Sequence, residues 1–270
     1  MTPTSERPER FAGHRFPQVI PEPGDVQPGA PAPWAALRAS ERSGFTLKAL
    51  ESALRGAHRL LAENPPPDQP EELFIVADAL PTPITRRSAV LVALFEEGGE
   101  VHVILTRRSL SLRNHGGEIS LPGGRSEEEE SAIATALRET HEEIGLNPAL
   151  VSPVAWLSPI VTFASGSSIW PIVGFLSERP ELRINPAEVD RVFSVTLREL
   201  AADGAFVEER WHRNVPRPGM DEEGYFPIYF FRVPDDVVWG ATARVLAELI
   251  CLALGVARAG DRGFLDPSSQ

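Results

Sequence analysis

Two apolar runs of strand length lie close together in the chain and constrain its fold more than any other feature. The runs are residues 88–95 and 101–106, and the connection between them, residues 96–100, contains Gly98 and Gly99. Paired glycines between two strand-like runs are typical of a β-hairpin. We therefore expect these two segments to form adjacent strands.

Further strand and helix patterns follow this hairpin in an irregular order. The candidate strands are 154–157, 169–176, 189–195 and 225–233, and the candidate helices are 128–144 and 241–256. Because the order has no regular βαβ rhythm, it favours an α/β sandwich with a mixed sheet over a Rossmann sheet. Hydrophobic residues make up 42% of the chain, which is enough for a sizeable core.

The N-terminal part of the chain has a different composition. Eight prolines occur within residues 1–34, so we expect residues 1–45 to be a Pro-rich arm that is extended or disordered. Leucines at helical spacing predict a helix over 46–63, with Thr46 as its N-cap and the prolines at 65–67 as its end. We place a helix and linker at 46–85, the main domain at 86–233, and a packed helix with a tail at 234–270.

Charge and cysteine content exclude several classes of function. The net charge of −12 argues against non-specific nucleic-acid binding, although a bound metal can still make a polyanionic substrate acceptable. The single cysteine, Cys251, cannot form an intramolecular disulfide, which fits a reducing compartment. The start of the chain is polar, and the most apolar segment, 245–257, is too short to span a bilayer. We predict a soluble, cytoplasmic protein without nucleic-acid or membrane partners.

Residues 124–146 concentrate carboxylates on a predicted helix. Their sequence is GRSEEEESAIATALRETHEEIGL. Ser126 and Glu129 have the spacing of a capping box at the start of this helix, and Gly145 is suited to end it. Glu139 and Glu143 project from one face with Glu142 beside them, close to the negative end of the helix dipole. A hard divalent cation would relieve their repulsion, whereas the alternative is a solvated acidic face.

This segment resembles the Nudix box, G-x5-E-x7-R-E-U-x-E-E-x-G-U, in which U is a bulky aliphatic residue. The matching residues are Gly124, Glu130, Arg138, Glu139, Glu142, Glu143, Gly145 and Leu146. Thr140 stands at the first aliphatic position, where its β-branched shape is close to that of valine. The resemblance implies an α/β/α sandwich and the hydrolysis of a nucleoside diphosphate derivative.

The same resemblance implies a site that uses Mg²⁺ or Mn²⁺. Its metal ligands would be Glu139, Glu142 and Glu143, with Glu130 as a weaker candidate. The cation would polarise the diphosphate and help to generate the attacking hydroxide, and Glu139 is a candidate to accept a proton from the water. Arg138 lies four residues before Glu142 and is expected to orient its carboxylate.

A second group of polar residues precedes the box, at the end of the second apolar run. Arg107, Arg108 and Arg113 provide planar donors that suit phosphate groups. The segment is similar to the motif of the coenzyme A pyrophosphatase subgroup, L-L-T-x-R-S-x3-R-x3-G-x3-F-P-G-G. The matching residues are Thr106, Arg108, Ser109, Arg113, Gly117, Pro122, Gly123 and Gly124, while Ile104 and Leu121 replace the first Leu and the Phe.

The subgroup resemblance implies coenzyme A (CoA) or an acyl-CoA as the substrate, with 3′,5′-ADP and 4′-phosphopantetheine or its acyl form as products. Substrate contacts would come from Arg108, Arg113, Ser109, Gly123 and Gly124, although both arginines have the acidic cluster as an alternative partner. A Nudix hydrolase for ADP-ribose or NADH is an alternative, as is a non-catalytic binding module. Glu188 is either an auxiliary carboxylate or part of a solvated turn. The helix at 46–63 has several possible roles, including formation of a homodimer.

Overall fold

The computed structural model describes residues 18–21, 23–57, 59–63, 86–162, 167–214 and 220–257. The strands are β1 (Val26–Pro28), β2 (Arg86–Glu97), β3 (Glu100–Arg108), β4 (Ile119–Ser120), β5 (Gly123–Arg125), β6 (Val151–Trp156), β7 (Ile160–Thr162), β8 (Ser167–Leu176), β9 (Val189–Thr196), β10 (Phe206–His212), β11 (Tyr225–Val233) and β12 (Asp236–Trp239). The α-helices are α1 (Leu47–Gly56), α2 (Ala132–Ile144), α3 (Leu197–Leu200) and α4 (Gly240–Leu254).

A mixed sheet forms the centre of the molecule. Its main path is β4-β3-β2-β8-β6, and β5, β7 and β9 pair with β2, β8 and β3 respectively. β2 and β8 are parallel, whereas the other pairs in this sheet are antiparallel. The mixed α/β architecture predicted from the sequence is therefore confirmed.

The expected hairpin joins β2 to β3. Glu97 pairs with Glu100, and the two residues between them, Gly98 and Gly99, have φ values of 61° and 80°. Both turn positions thus lie in the left-handed region, which glycine adopts without strain. This local geometry explains why the hairpin was predictable from a short stretch of sequence.

The central sheet is covered on both faces. Side chains of β2 alternate between two cores: Leu91 and Phe95 belong to one, and Val92 and Leu94 to the other. Helix α2 covers the first face, while α1, α4 and a second sheet contribute to the core on the opposite face. Burial of both faces explains why β2 is a continuous apolar run rather than an alternating one.

The second sheet has the order β1-β10-β11-β12 and is antiparallel throughout. Sequence patterns predicted only β11, because β10 contains Glu, Arg and His and β1 lies within the Pro-rich arm. Trp34, also in the arm, is fully buried and stacks on Phe231 at 6.2 Å between ring centroids. The described part of the arm is therefore packed against the second sheet, while residues 1–17 and Glu22 lie outside the described residues.

Helix α1 begins as predicted but ends early. The Thr46 side chain accepts a hydrogen bond from the Ala49 N–H, so the predicted N-cap is confirmed. The helix ends at Gly56 rather than near residue 63, because the following backbone pairs with β6: the Leu61 N–H donates to the Val154 carbonyl at 3.0 Å. The prolines expected to end the helix lie outside the described residues. No helix in the described part of the chain is long and apolar enough to cross a membrane.

Candidate active site

The helix that carries the clustered glutamates begins later than the sequence indicated. Ser131, not Ser126, is the N-cap of α2, and its side chain accepts from the Ala134 N–H. Glu129 cannot complete a capping box because its φ of 60° places it outside the helix. The Ser126 hydroxyl instead lies 3.0 Å from the Thr135 hydroxyl, within hydrogen-bond distance. At the other end, Gly145 has a φ of 68° and terminates the helix as predicted.

Two glycines of β5 bring this strand against β2 and α2. A Cβ at Gly123 would lie 2.3 Å from the Ala89 carbonyl oxygen, and its φ is 146°. A Cβ at Gly124 would lie 2.3 Å from the Glu139 Oε2. The glycines therefore allow the backbone to approach a neighbouring strand at one position and a carboxylate at the next.

Glu143 is the most buried of the predicted ligands, with a relative exposure of 3%. Its Oε2 accepts a hydrogen bond of 3.0 Å from the Gly123 N–H, and its Oε1 lies 3.6 Å from Nη1 of Arg108. Burial raises the pKa of Glu143 to about 7, even though the hydrogen bond from Gly123 and the charge of Arg108 both lower it. Arg108 thus makes the acidic-cluster contact that was one of its two expected roles.

Arg138 connects three of the predicted carboxylates. Its Nε and Nη2 each donate to Glu130 at 2.9 Å, while Nη1 donates to Glu139 at 3.0 Å and to Glu142 at 3.1 Å. The predicted Arg138–Glu142 contact is therefore present.

The Arg138 guanidinium is the main reason why the pKa of Glu130 is lowered to about 2. Glu130 also accepts from the Thr135 hydroxyl and from the Glu127 N–H. With so many donors around its carboxylate, Glu130 organises the arginine, and its role as a metal ligand stays a prediction.

The turn before β9 brings the charge of Glu188 close to two glutamates of α2, Glu139 and Glu143. Burial is the main cause that raises the pKa of Glu139, and the negative charge of Glu188 raises the pKa of both Glu139 and Glu143 further. Asn185 donates to the Glu188 Oε1 at 3.2 Å, and the Glu188 carbonyl accepts from the Ser109 N–H at 2.8 Å. The sequence left this residue between two interpretations, and the structure places its charge beside the predicted ligands.

The donor chemistry of the cluster suits a hard divalent cation, because Glu139, Glu142, Glu143 and Glu188 offer only carboxylate oxygens. The close fit of Gly124 against Glu139 keeps one of these carboxylates at the end of β5. Within the part of the chain that the structure describes, no three such side chains converge in a ready-made metal centre. As they stand, Arg138 and Arg108 contact and partly neutralise these carboxylates.

The predicted substrate-binding segment is only partly assembled around these carboxylates. Arg108 and the backbone of Ser109 contact the cluster, as described above, and the Ser109 hydroxyl lies 2.9 Å from that of Ser111. Thr106 is buried and its hydroxyl lies 3.0 Å from that of Ser120, which joins β3 to β4. Arg113 is exposed and is not brought to the cluster by any contact within the described residues.

Comparison with known proteins shows which family the chain belongs to. A family model described as the NUDIX domain matches residues 85–215. The chain is 34% identical to an uncharacterized Nudix hydrolase, NudL, of Photorhabdus laumondii over 148 residues, which cover 54% of this chain and 74% of that protein. The chain belongs to the Nudix family.

Other Nudix proteins resemble this chain over a smaller share of their length. Nudix hydrolase 15, mitochondrial, of Arabidopsis thaliana is 37% identical over 60% of this chain and 56% of that protein. The chain thus spans little more than half the length of that relative. The crystal structure of a MutT/nudix family protein from Enterococcus faecalis matches with a TM-score of 0.42 and 17% identity, over 78% of this chain and 81% of that chain.

The departure from the Nudix box at Thr140 is accommodated in the core. Its side chain has a relative exposure of 1%, and its hydroxyl has no hydrogen-bond partner among the described residues. Thr140 thus fills an aliphatic position of the Nudix box on α2, as the shape of its β-branched side chain indicated.

Proposed function

We propose that this Nudix chain hydrolyses the diphosphate of CoA or an acyl-CoA to 3′,5′-ADP and 4′-phosphopantetheine or its acyl form. The observation that carries the proposal is the 3.6 Å contact between Arg108 and Glu143. It joins the segment that resembles the CoA pyrophosphatase motif to the carboxylates of the Nudix box. A substrate phosphate held by the arginine would therefore lie beside the predicted metal ligands.

In this proposal Glu139, Glu142 and Glu143 hold Mg²⁺ or Mn²⁺, and Glu130 is a weaker ligand. When bound, the cation supplies positive charge that polarises the diphosphate towards attack by water. Arg138 orients Glu139 and Glu142 through its Nη1, and Glu139 is a candidate to accept the proton of the water.

The charge and position of the two arginines indicate which phosphates of CoA they would contact. CoA carries a 3′-phosphate in addition to its diphosphate, so it gives more than one arginine a phosphate partner. Arg108 lies beside the carboxylates, whereas Arg113 is exposed on the loop after β3 and is available to a more distant phosphate. Ser109 directly follows β3, and Gly123 and Gly124 belong to β5; all three are further candidate contacts.

A substrate panel tests the proposal. Purified protein with Mg²⁺ is incubated with CoA, acetyl-CoA, dephospho-CoA, ADP-ribose or NADH, and the products are separated by chromatography. We expect 3′,5′-ADP from CoA and a lower kcat/KM for dephospho-CoA, which lacks the 3′-phosphate. Absence of 3′,5′-ADP at high enzyme concentration, or much faster turnover of ADP-ribose or NADH, would refute the proposed substrate.

Two glutamine variants distinguish the loss of a proposed metal ligand from the loss of a negative charge alone. Glu142 is half-exposed and contacts Arg138, so Glu142→Gln should fold and should lower kcat by about 100-fold or more if the carboxylate holds the cation. Glu128→Gln is the matched control, because it makes the same charge change at an exposed position outside the helix. Equal activity of the two variants would contradict the ligand role of Glu142.

A further inference from the structure

Arg107 occupies the variable position of the upstream motif, between Thr106 and Arg108. Side chains of β3 alternate between the two cores, with Ile104 in the core beneath α2 and Leu105 in the core on the opposite face. By this alternation Arg107 points towards the second sheet, while Arg108 points towards α2 and Glu143. The two neighbouring arginines therefore serve opposite faces of the same strand.

A fully buried carboxylate of the second sheet binds Arg107. Its Nη2 donates to the Asp236 Oδ2 at 2.5 Å, and the relative exposure of Asp236 is 0%. Asp236 opens β12 immediately after a tight turn in which Asp235 has a φ of 63°. Nη1 of Arg191 lies 3.8 Å from the same oxygen, so Arg107 is the nearer of two cationic partners. A buried carboxylate that loses such a partner is destabilised, and Asp236 therefore holds Arg107 in place.

On its other side Arg107 faces an irregularity in the β3–β9 pairing. Arg107 pairs with Arg191 and Arg108 pairs with Val189, which leaves Asp190 as an extra residue in β9. The Asp190 carboxylate lies 3.7 Å from Nη1 of Arg107. Such bulges redirect side chains and are common next to active sites.

Residues of the candidate active site flank the bulge. Glu188 lies immediately before β9, and its carbonyl oxygen accepts a hydrogen bond of 2.8 Å from the Ser109 N–H. Arg108 is also held by its backbone, since its N–H donates to the Glu118 carbonyl at 2.9 Å. The bulge thus separates a regular part of the β3–β9 pair from the part that carries Arg108 and Glu188.

We propose that Arg107 is a positioning residue: anchored on Asp236, it fixes the Asp190 bulge and thereby sets the positions of Arg108 and Glu188. The second sheet then acts on substrate binding without touching the substrate. The kinetic consequence rests on the proposed function, whereas the structural consequence depends only on the contacts of Arg107.

Hydrogen exchange tests the structural part without any substrate. In Asp236→Asn, amides of the segment 106–111 should exchange at least about tenfold faster, because the Arg108 and Ser109 hydrogen bonds open more often. Asp221→Asn is the matched control, since Asp221 pairs with Arg210 on the second sheet, and no hydrogen bond or ion pair among the described residues joins it to β3. Unchanged exchange in a folded Asp236→Asn variant would overturn the proposal.

A second variant covers the case in which Asp236→Asn fails to fold. Arg107→Lys keeps a positive charge beside Asp236 but loses the planar fork that reaches both Asp236 and Asp190. It should therefore remain folded and show faster exchange over 106–111 in the same way. If Arg107→Lys is folded and its exchange matches that of the unmodified protein, Arg107 does not position this segment.

Steady-state kinetics test the link to substrate binding. With CoA, Asp236→Asn should raise KM about tenfold with a smaller effect on kcat, and Asp221→Asn should leave both unchanged. In an Arg108→Ala background, Asp236→Asn should raise KM by less than about twofold, because its effect on KM passes through Arg108. A full tenfold effect in that background would overturn the proposal.

The two proposals fail in different ways. If the unmodified protein releases no 3′,5′-ADP, the CoA assignment fails, and hydrogen exchange still decides the role of Arg107. If CoA is hydrolysed but exchange and KM are unchanged in Asp236→Asn, the positioning role fails alone.

Discussion

Substitution of Gly124 by alanine should lower the catalytic rate without destabilising the fold. The new Cβ would lie 2.3 Å from Oε2 and 2.5 Å from Cδ of Glu139, closer than Cβ atoms approach other atoms in proteins. The Glu139 carboxylate must therefore move by roughly 1 Å, while the backbone of Gly124, whose φ is not in the left-handed region, remains unstrained. Glu139 is a metal ligand in the proposed mechanism, and a displacement of about 1 Å in a catalytic group lowers the rate by about 100-fold, or about 2.7 kcal/mol in the activation free energy.

The assay is the proposed Mg²⁺-dependent release of 3′,5′-ADP from CoA, together with the thermal midpoint of unfolding. Gly124→Ala should keep its thermal midpoint within a few degrees while kcat falls about 100-fold. Gly56→Ala is the control: no described residue lies within 4 Å of the Gly56 Cβ position outside α1 and its chain neighbours, and Gly56 ends α1, so this variant should retain full activity. A Gly124→Ala enzyme with kcat within threefold of the unmodified protein, roughly 0.6 kcal/mol, would refute the argument.

Three further substitutions test other parts of the site. Gly123→Ala should lower the free energy of unfolding by at least about 3 kcal/mol, since its Cβ meets the backbone of β2 at a φ of 146°; a circular dichroism melt like that of the unmodified protein would contradict this. Thr140→Val should raise the free energy of unfolding in urea by about 1 kcal/mol, because it removes a buried hydroxyl that has no partner among the described residues; a clear decrease would show that the hydroxyl is bonded. Glu130→Gln should lower the free energy of unfolding by about 2 kcal/mol at pH 7. Because Arg138 lowers the pKa of Glu130 to about 2, the ionised carboxylate stabilises the fold above pH 4.5, and this contribution is lost as the pH falls towards 2. The difference between the two proteins should shrink over that interval in acid titrations, and a constant difference would exclude the ion pair as its cause.

The features that sequence patterns predicted well depend on neighbours along the chain. The β2–β3 hairpin requires only two glycines between two apolar runs, and the N-cap at Thr46 requires only a hydroxyl three residues before an N–H. The end of α2 at Gly145 is equally local. Such interactions span at most a few residues, so the local sequence contains all the groups that take part.

Predictions failed where a local pattern competes with a contact from elsewhere. Ser126 and Glu129 have the spacing of a capping box, but the Ser126 hydroxyl is engaged by Thr135 and the helix begins after Ser131. Helix α1 ends at Gly56 because the next residues pair with β6, about 100 residues further along the chain. Neither competing partner is visible in the pattern of the segment itself.

The sequence by itself determined the Nudix helix: the spacing of Glu139, Glu142 and Glu143 places them on one helical face, whatever surrounds it. Only the tertiary structure decided which other groups join them. Arg108 reaches Glu143 from β3, and Glu188 arrives from the turn before β9. On the opposite face of β3, Arg107 binds Asp236, 129 residues away in the sequence. Helical spacing is fixed by backbone geometry within one segment, whereas these contacts depend on the pairing and packing of segments that are far apart in the chain.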